Sequence, residues 1–290
     1  MPTDAVLSSY MEGAVAEAWL SLREGNHGFG ALIVQDDKII AHAHDSDETD
    51  HDPTAHAELK AIRIASSTIG KDLSSCVLVC THEPCPMCAT AMVWAKVPIL
   101  VFGYSIAESI KQGRARIDLD CYEIFRRSGA NVLVRSGVMK EQCSVLYDRE
   151  VRAEVKKLRG ATNERLMIYN EEISQRRIAW YAEARLRPEL QGLSPLEKAY
   201  RVVLLKLGVD ETQAQIVRRS DKAIVFHSMN PCPTLEACMI LGLDPARVCK
   251  FYNEGATDVL VKQVDPRLTF TRNYLKMRPN ATYCEELISY

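Results

Sequence analysis

The chain predicts a layered α/β domain built on a five-stranded sheet, followed by a smaller α+β domain. Three observations carry this. Over the first half, amphipathic helical patterns alternate with short apolar runs of strand length. Turn-forming residues separate those runs. The second half opens on long helical patterns and then gives a strand pair, after a candidate joint at Gly160-Ala161-Thr162-Asn163. The 290 residues therefore divide into domains at 1–160 and 161–290.

Each element has its own signal. Residues 4–24 place Ala5, Leu7, Met11, Val15, Ala18 and Leu22 near helical spacing, and Asn26-His27-Gly28 ends that helix. Phe29 to Val34 and Lys38 to His42 read as a hairpin turning at Asp36-Asp37. The polar stretch Asp45 to Asp52 reads as a loop, ending at Pro53-Thr54, the expected start of a helix carrying His56, Glu58, Leu59, Ala61 and Ile62. Ser75 to Cys80 is a buried strand, Cys85 to Ala95 a helix, Ile99 to Tyr104 and Asn131 to Arg135 two more strands, and Lys140 to Leu158 one closing helix. Beyond the joint, helices are expected over Glu164 to about Leu186 and from Ser194-Pro195 to about Leu207. Gln215 to Val217 and Ala223 to His227 form a strand pair turning at Ser220-Asp221. No internal repeat and no low-complexity segment is found.

Composition bounds the function. A formal charge of −2 argues against a whole-molecule field adapted to nucleic acid. No run is long and apolar enough for a membrane span, and Met1-Pro2-Thr3-Asp4 lacks the features of a secretory signal, so a cytoplasmic address is expected. In such a chain the ten cysteines read as thiols and metal ligands, with Cys76 and Cys80 as core residues.

The chemistry concentrates in His56-Ala57-Glu58 and Pro84-Cys85-Pro86-Met87-Cys88. One imidazole and two thiolates hold a zinc ion with three protein ligands, His56, Cys85 and Cys88, and keep a fourth position open to water. One Zn²⁺ per chain is expected. Cys85 and Cys88, three apart, fall on one face of a helix's first turn, where helix N-termini favour thiolates. Glu58 is placed to move protons without ligating the metal, and the Cys85 backbone N–H to steady a developing oxyanion. This combination suits attack on an amino-substituted ring carbon with loss of ammonia. The bland alternative is a structural zinc or a redox pair at Cys85 and Cys88.

Phe29-Gly30-Ala31-Leu32-Ile33-Val34, Asp52-Pro53-Thr54-Ala55-His56-Ala57-Glu58 and Glu83-Pro84-Cys85-Pro86-Met87-Cys88 together resemble the cytidine deaminase superfamily, in its guanine deaminase and tRNA adenosine deaminase branch, over about residues 4–158. The resemblance implies a three-layer α/β/α fold around the five-stranded sheet, a homodimer, the same zinc ligands and Glu58 as proton shuttle. It also makes Phe29, Asp45, Ala57 and Trp94 substrate-binding candidates. Phe29 matches an aromatic that stacks on the base; its alternative is a core strand residue. Trp94, six residues beyond Cys88, resembles guanine deaminases in particular, and its alternative is packing behind the pocket. The family's base-reading asparagine is replaced by Asp45, which favours a ring edge presenting an N–H or amino group; its alternative is a solvated acid. His42, His44 and His51 read as surface or packing residues. Asp118 and Asp120 are candidates for an additional acidic pocket residue.

Residues 164–290 carry no such motif. Asn230-Pro231-Cys232-Pro233, Cys238, Leu241-Gly242-Leu243, Cys249, Phe270-Thr271-Arg272-Asn273-Tyr274 and Cys284 faintly resemble the 2-amino-thiazoline-4-carboxylate hydrolase family. With no Cys-x-x-C pair among them, these cysteines read as buried thiols rather than a second metal site, and the expected role is a lid, a dimerisation module or ligand binding. Arg272 and Arg278 are candidates for an anionic ligand or for salt bridges. The reading is thus a zinc-dependent deaminase of a small amino-substituted heterocycle: guanine-like purine, aminotriazine or nucleoside. The alternatives are a tRNA adenosine-to-inosine editor, using Arg152, Lys156, Lys157 and Arg159 on phosphates, and a non-catalytic zinc-fold binding protein.

Overall fold

The computed structural model describes residues 3–290, in two compact units that meet at Lys156/Lys157. In the first unit, helix α1 (Asp4–Glu24) starts where the Thr3 hydroxyl accepts from the Val6 amide and ends at Gly25 in the left-handed region. Strands β1 (Gly30–Gln35) and β2 (Lys38–His44) form the expected hairpin. Next come the short helix α2 (Asp47–Asp50) and helix α3 (Ala57–Ile69). Strand β3 (Cys76–His82), helix α4 (Pro86–Ala95) and strand β4 (Ile99–Tyr104) follow. Helices α5 (Ile106–Lys111) and α6 (Cys121–Ser128), strand β5 (Leu133–Ser136), and helices α7 (Lys140–Val145) and α8 (Arg149–Leu158) complete the series.

The five strands lie in the order β2-β1-β3-β4-β5; β1 is antiparallel to both neighbours, while β3, β4 and β5 run parallel. Side-chain alternation makes this the centre of three layers. Ala31, Ile33, Leu78, Cys80, Leu100 and Phe102 face one side, where they pack with Ala61, Ile62 and Ala65 of α3 and Ala89 and Met92 of α4. The opposite face of β1 receives α1. A Cβ at Gly30 would stand 2.0 Å from the Ala14 carbonyl oxygen and 2.6 Å from the Ala18 nitrogen, so only glycine admits the helix this close.

Three sequence expectations are corrected here. The closing helix is two, because the chain breaks at Leu146–Asp148, where Tyr147 is buried with its hydroxyl donating to Thr81 Oγ1 at 2.7 Å and its ring stacked on Phe29 and Tyr104. The Asp45–Asp52 loop contains a helical turn, α2. The helix expected from Pro53-Thr54 begins at Ala57, with His56 as its N-cap. The second unit contains α9 (Asn163–Ala184), α10 (Pro195–Leu207), β6 (Ala214–Arg219) and β7 (Ala223–Ser228). It continues with α11 (Pro233–Leu241), α12 (Pro245–Cys249), a π-helical turn over Lys250–Glu254, α13 (Gly255–Lys262), β8 (Thr269–Arg272) and β9 (Cys284–Ser289). Its four strands are antiparallel in the order β6-β7-β9-β8, and Leu196, Tyr200, Val203, Phe226, Leu268, Phe270 and Ile288 fill its core.

Candidate active site

The site forms where α3 and α4 begin at the ends of neighbouring strands. Before α3 the chain is held in a tight turn: Asp52 Oδ1 accepts from the Thr54 amide at 2.8 Å and its hydroxyl at 2.7 Å, and the His56 amide donates to the Thr54 carbonyl. His56 therefore arrives at the N-cap with an extended backbone (φ −75°, ψ 148°). Before α4, Pro84 keeps the chain extended and Pro86 opens the helix, where its missing N–H removes no helical bond. Cys85 becomes the N-cap and Cys88 lies in the first turn. His56 Nδ1 is 3.5 Å from Cys85 Sγ and 3.6 Å from Cys88 Sγ.

That spacing tests whether a zinc ion fits. Tetrahedral zinc with one nitrogen near 2.0–2.1 Å and sulfur near 2.3 Å separates nitrogen from each sulfur by about 3.6 Å. The observed distances match it for both cysteines, so these residues fit the ion as three ligands. The hydrogen bond from Cys88 lowers the Cys85 thiol to about 4, and that sulfur in turn raises His56 to about 9. Cys88 is driven upward, mainly by the Cys85 sulfur. Of the three groups Cys85 most readily gives a thiolate, the form a cation binds.

Glu58, in the first turn of α3, is 6 % exposed, and its Oε2 is 3.6 Å from Cys88 Sγ. Burial is the main cause that raises its carboxyl to about 7, with the Cys85 sulfur adding to it. His56, Glu58 and Cys85 line a cavity of about 210 Å³ together with Phe29, Asp45, His82, Glu83 and Arg116. Asp45 is 1 % exposed rather than a solvated acid, and it accepts from the His27 amide at 3.0 Å. Burial pushes its carboxyl up to about 6 against that hydrogen bond. Phe29 lines the cavity with its ring stacked on Tyr147 (5.2 Å between centroids) and edge-on to His82.

Two residues expected to contact substrate are not among those lining the cavity. Trp94 is 81 % exposed on α4 and lies outside the cavity, because the inner face of that helix is occupied by Cys88, Ala89, Met92 and Ala95. The Ala57 side chain is fully buried in the core cluster between sheet and helices. Asp118 is exposed, and Asp120 instead caps α6 by accepting from the Glu123 amide at 2.8 Å. His42 and His44 both pair with Glu17, at 2.6 and 2.7 Å.

The sequence reading missed His27, Asp47, His82, Glu83, Ile106, Arg116 and Ile117 on the cavity wall. Glu83 had a signal, since it sits in the motif itself. Its Oε2 accepts from the Ile106 amide and its Oε1 from the Cys121 amide, each at 2.9 Å, so one buried carboxylate ties the N-termini of α5 and α6 to the site. His82 Nδ1 donates to the Glu83 carbonyl and Nε2 accepts from the Ser109 hydroxyl. Burial drives its pKa down to about 3, which keeps the ring neutral.

In the second unit, Arg272 is an ion-pair residue: its Nε donates to the buried Glu286 at 3.1 Å. Arg278 donates to the Asn230 carbonyl at 2.8 Å. Cys238, Cys249 and Cys284 are buried and Cys232 half-buried. The basic residues considered for phosphate contacts are partly engaged: Arg152 donates to the His27 carbonyl at 2.6 Å, and Lys157 to the Tyr252 hydroxyl at 2.7 Å.

Residues 5–104 match the family described as cytidine and deoxycytidylate deaminase zinc-binding region. A guanine deaminase of Bacillus subtilis (strain 168) is 37 % identical over 107 residues, 36 % of this chain and 69 % of its own length. A tRNA-specific adenosine deaminase of the same organism is 35 % identical over 159 residues, 53 % of this chain and 96 % of its own length. A solved structure from work on A-to-I editing by tRNA:A34 deaminases covers 48 % of this chain and 98 % of its own, at 26 % identity and a TM-score of 0.42.

Proposed function

The chain belongs to the cytidine and deoxycytidylate deaminase family, and from that premise we propose that its first unit hydrolytically deaminates a small amino-substituted heterocycle. The observation that carries the reading is one cavity lined by His56, Cys85 and Glu58, with Cys88 completing the ligand spacing of a zinc ion. His56, Cys85 and Cys88 would hold the zinc ion, which would supply the Lewis acidity that makes water a nucleophile near neutral pH. Glu58 would take a proton from the attacking water and pass it to a ring nitrogen, then take the second proton of the added hydroxyl and pass it to the leaving amine. The balance is ring C–NH₂ plus H₂O giving ring C=O plus NH₃. The Cys85 amide, at the start of α4, is oriented with a helix N-terminus to meet a developing oxyanion. Asp45 presents an acceptor to a ring N–H or amino group, and Phe29 an apolar wall.

The test is ammonia release by the zinc-loaded protein from guanine, adenine, cytosine, their nucleosides and 5′-monophosphates, 5-carboxycytosine and aminotriazines. Turnover of at least one ring supports the reading; a zinc-loaded protein inert towards all of them removes it. A second reading, editing of tRNA, is favoured by the 96 % coverage of the tRNA-specific relative. Against it stands the engagement of Arg152 and Lys157 within the protein.

A further inference from the structure

Most polar groups on the cavity wall are already engaged within the protein. Asp45 accepts from the His27 amide, Asp47 pairs with the His27 ring at 3.2 Å, and Glu83 is taken by two helix amides. Arg116 is different. Its Nη1 donates to the carbonyl of its neighbour Ala115 at 3.2 Å, but Nε and Nη2 are buried and have no hydrogen-bond partner among the described residues. Those two nitrogens form the side fork of the guanidinium, the edge that fits two oxygens of one carboxylate or phosphate. The group lies over the Phe29 ring, 5.1 Å from its centroid, inside the cavity wall.

Two more guanidiniums crowd the same region. Arg114 donates to the Tyr147 carbonyl at 3.1 Å and lies over the Tyr147 ring, and Arg152 donates to the His27 carbonyl. Among the described residues each of the three donates to a backbone carbonyl and none has a carboxylate within ion-pair distance. Burial, followed by the like charges of Arg152 and Arg116, lowers Arg114 to about 10. Asp45, Glu58 and Cys85 offset part of that repulsion at Arg116 from a distance, but no anion meets the fork itself, and buried positive charges are costly without one. A neutral carbonyl acceptor would fill the fork but leave that repulsion in place.

We propose that the substrate carries an oxyanion, a carboxylate or a phosphate, which seats on the Nε/Nη2 fork of Arg116 with Arg114 and Arg152 behind it. The preferred ring is then an acidic amino-heterocycle or a nucleoside monophosphate rather than a neutral nucleobase. This rests on the deaminase reading above for the ring's chemistry, but the fork itself is tested by binding.

The zinc-loaded full-length protein and its Arg116→Met variant are titrated by calorimetry with pairs that differ by one oxyanion: cytosine and 5-carboxycytosine, cytidine and its 5′-monophosphate, guanosine and its 5′-monophosphate. The acidic member of at least one pair is expected to bind the native protein at least about 30-fold more tightly than its neutral counterpart. Arg116→Met is expected to erase that preference while leaving the neutral ligand within about 3-fold. Which pair responds separates carboxylate from phosphate. Removing a buried charge without an ion-pair partner leaves thermal stability unchanged or higher, so loss of fold will not imitate the result. Equal affinity within every pair, equal weakening of both members in the variant, or no binding of any acidic member overturns the proposal. Ammonia is followed in the same mixtures: its absence throughout removes the deaminase reading, while the affinity ratios still decide the role of Arg116.

Discussion

Glu58 and Asp45 are both buried carboxyls in one cavity, yet their surroundings assign them different work. Glu58 stands beside the cysteine sulfurs without being needed to hold an ion. Glu58→Gln keeps its shape and removes its basicity, so ammonia release should fall by at least about 10³-fold while one zinc per chain remains by elemental analysis. Zinc loss in the variant, or unchanged turnover, contradicts the assignment. For Asp45 the readout is stability. Its folded pKa of about 6 lies above its ordinary 3.8, so the native state holds the proton more tightly than the unfolded chain does. Stability therefore falls as pH rises from 3.8 to about 6, and the whole penalty is present above that window. At about 1.4 kcal/mol per unit, the ceiling is about 3 kcal/mol. Asp45→Asn retains an acceptor for the His27 amide without the charge. Its Tm should exceed that of the native protein at pH 7.5 and match it near pH 4; an equal change at both pH values refutes the argument.

At the scale of elements, the first unit is organised by what holds its helix ends. Glu83 is the clearest case, since one carboxylate satisfies the first amides of both α5 and α6 and so fixes the segment that brings Arg116 and Ile117 to the cavity. Glu83→Gln turns one of those two acceptors into a donor facing an N–H. We expect a loss of about 2 kcal/mol in denaturant unfolding, together with weaker binding of the acidic ligands; full stability would mean that the two caps contribute nothing. This arrangement also explains what was legible. His56, Cys85, Cys88 and Glu58 stood out because metal ligation needs few residue types at short spacings, and each pair shares one helix start. Arg116 and His82 did not, since a loop without periodicity and a strand end announce no partner. Helices α5 and α6 did leave a signal: Ser105 with Glu108 is a capping box, and Asp120 caps through the Glu123 amide. The position of Trp94 was not legible, because resemblance of a position says nothing of which face its helix buries, and α4 turns that face outward.

At the scale of the whole molecule, charge distribution bears on which substrates reach the site. The formal net charge is −2, and no helix among the described residues is long and apolar enough to cross a membrane. Of the four basic residues that sequence alone offered as a phosphate track, Arg152 and Lys157 are half-buried and hydrogen-bonded within the protein, leaving Lys156 and Arg159 exposed. Two exposed cations on a chain of slightly negative charge release few counterions from a polyanion. Arg116 instead stands on the wall of a small cavity, with Arg114 and Arg152 close enough for their charges to act on one another, so a single oxyanion at the Arg116 fork gains most from them. The affinity for unmodified tRNA at about 150 mM salt is therefore expected to be weaker than about 1 μM, with a shallow dependence of log K on log salt. Filter binding across a salt series measures both quantities. A nanomolar affinity with a steep salt slope would move the activity to the RNA reading, because it would require a phosphate-binding surface much larger than these two side chains.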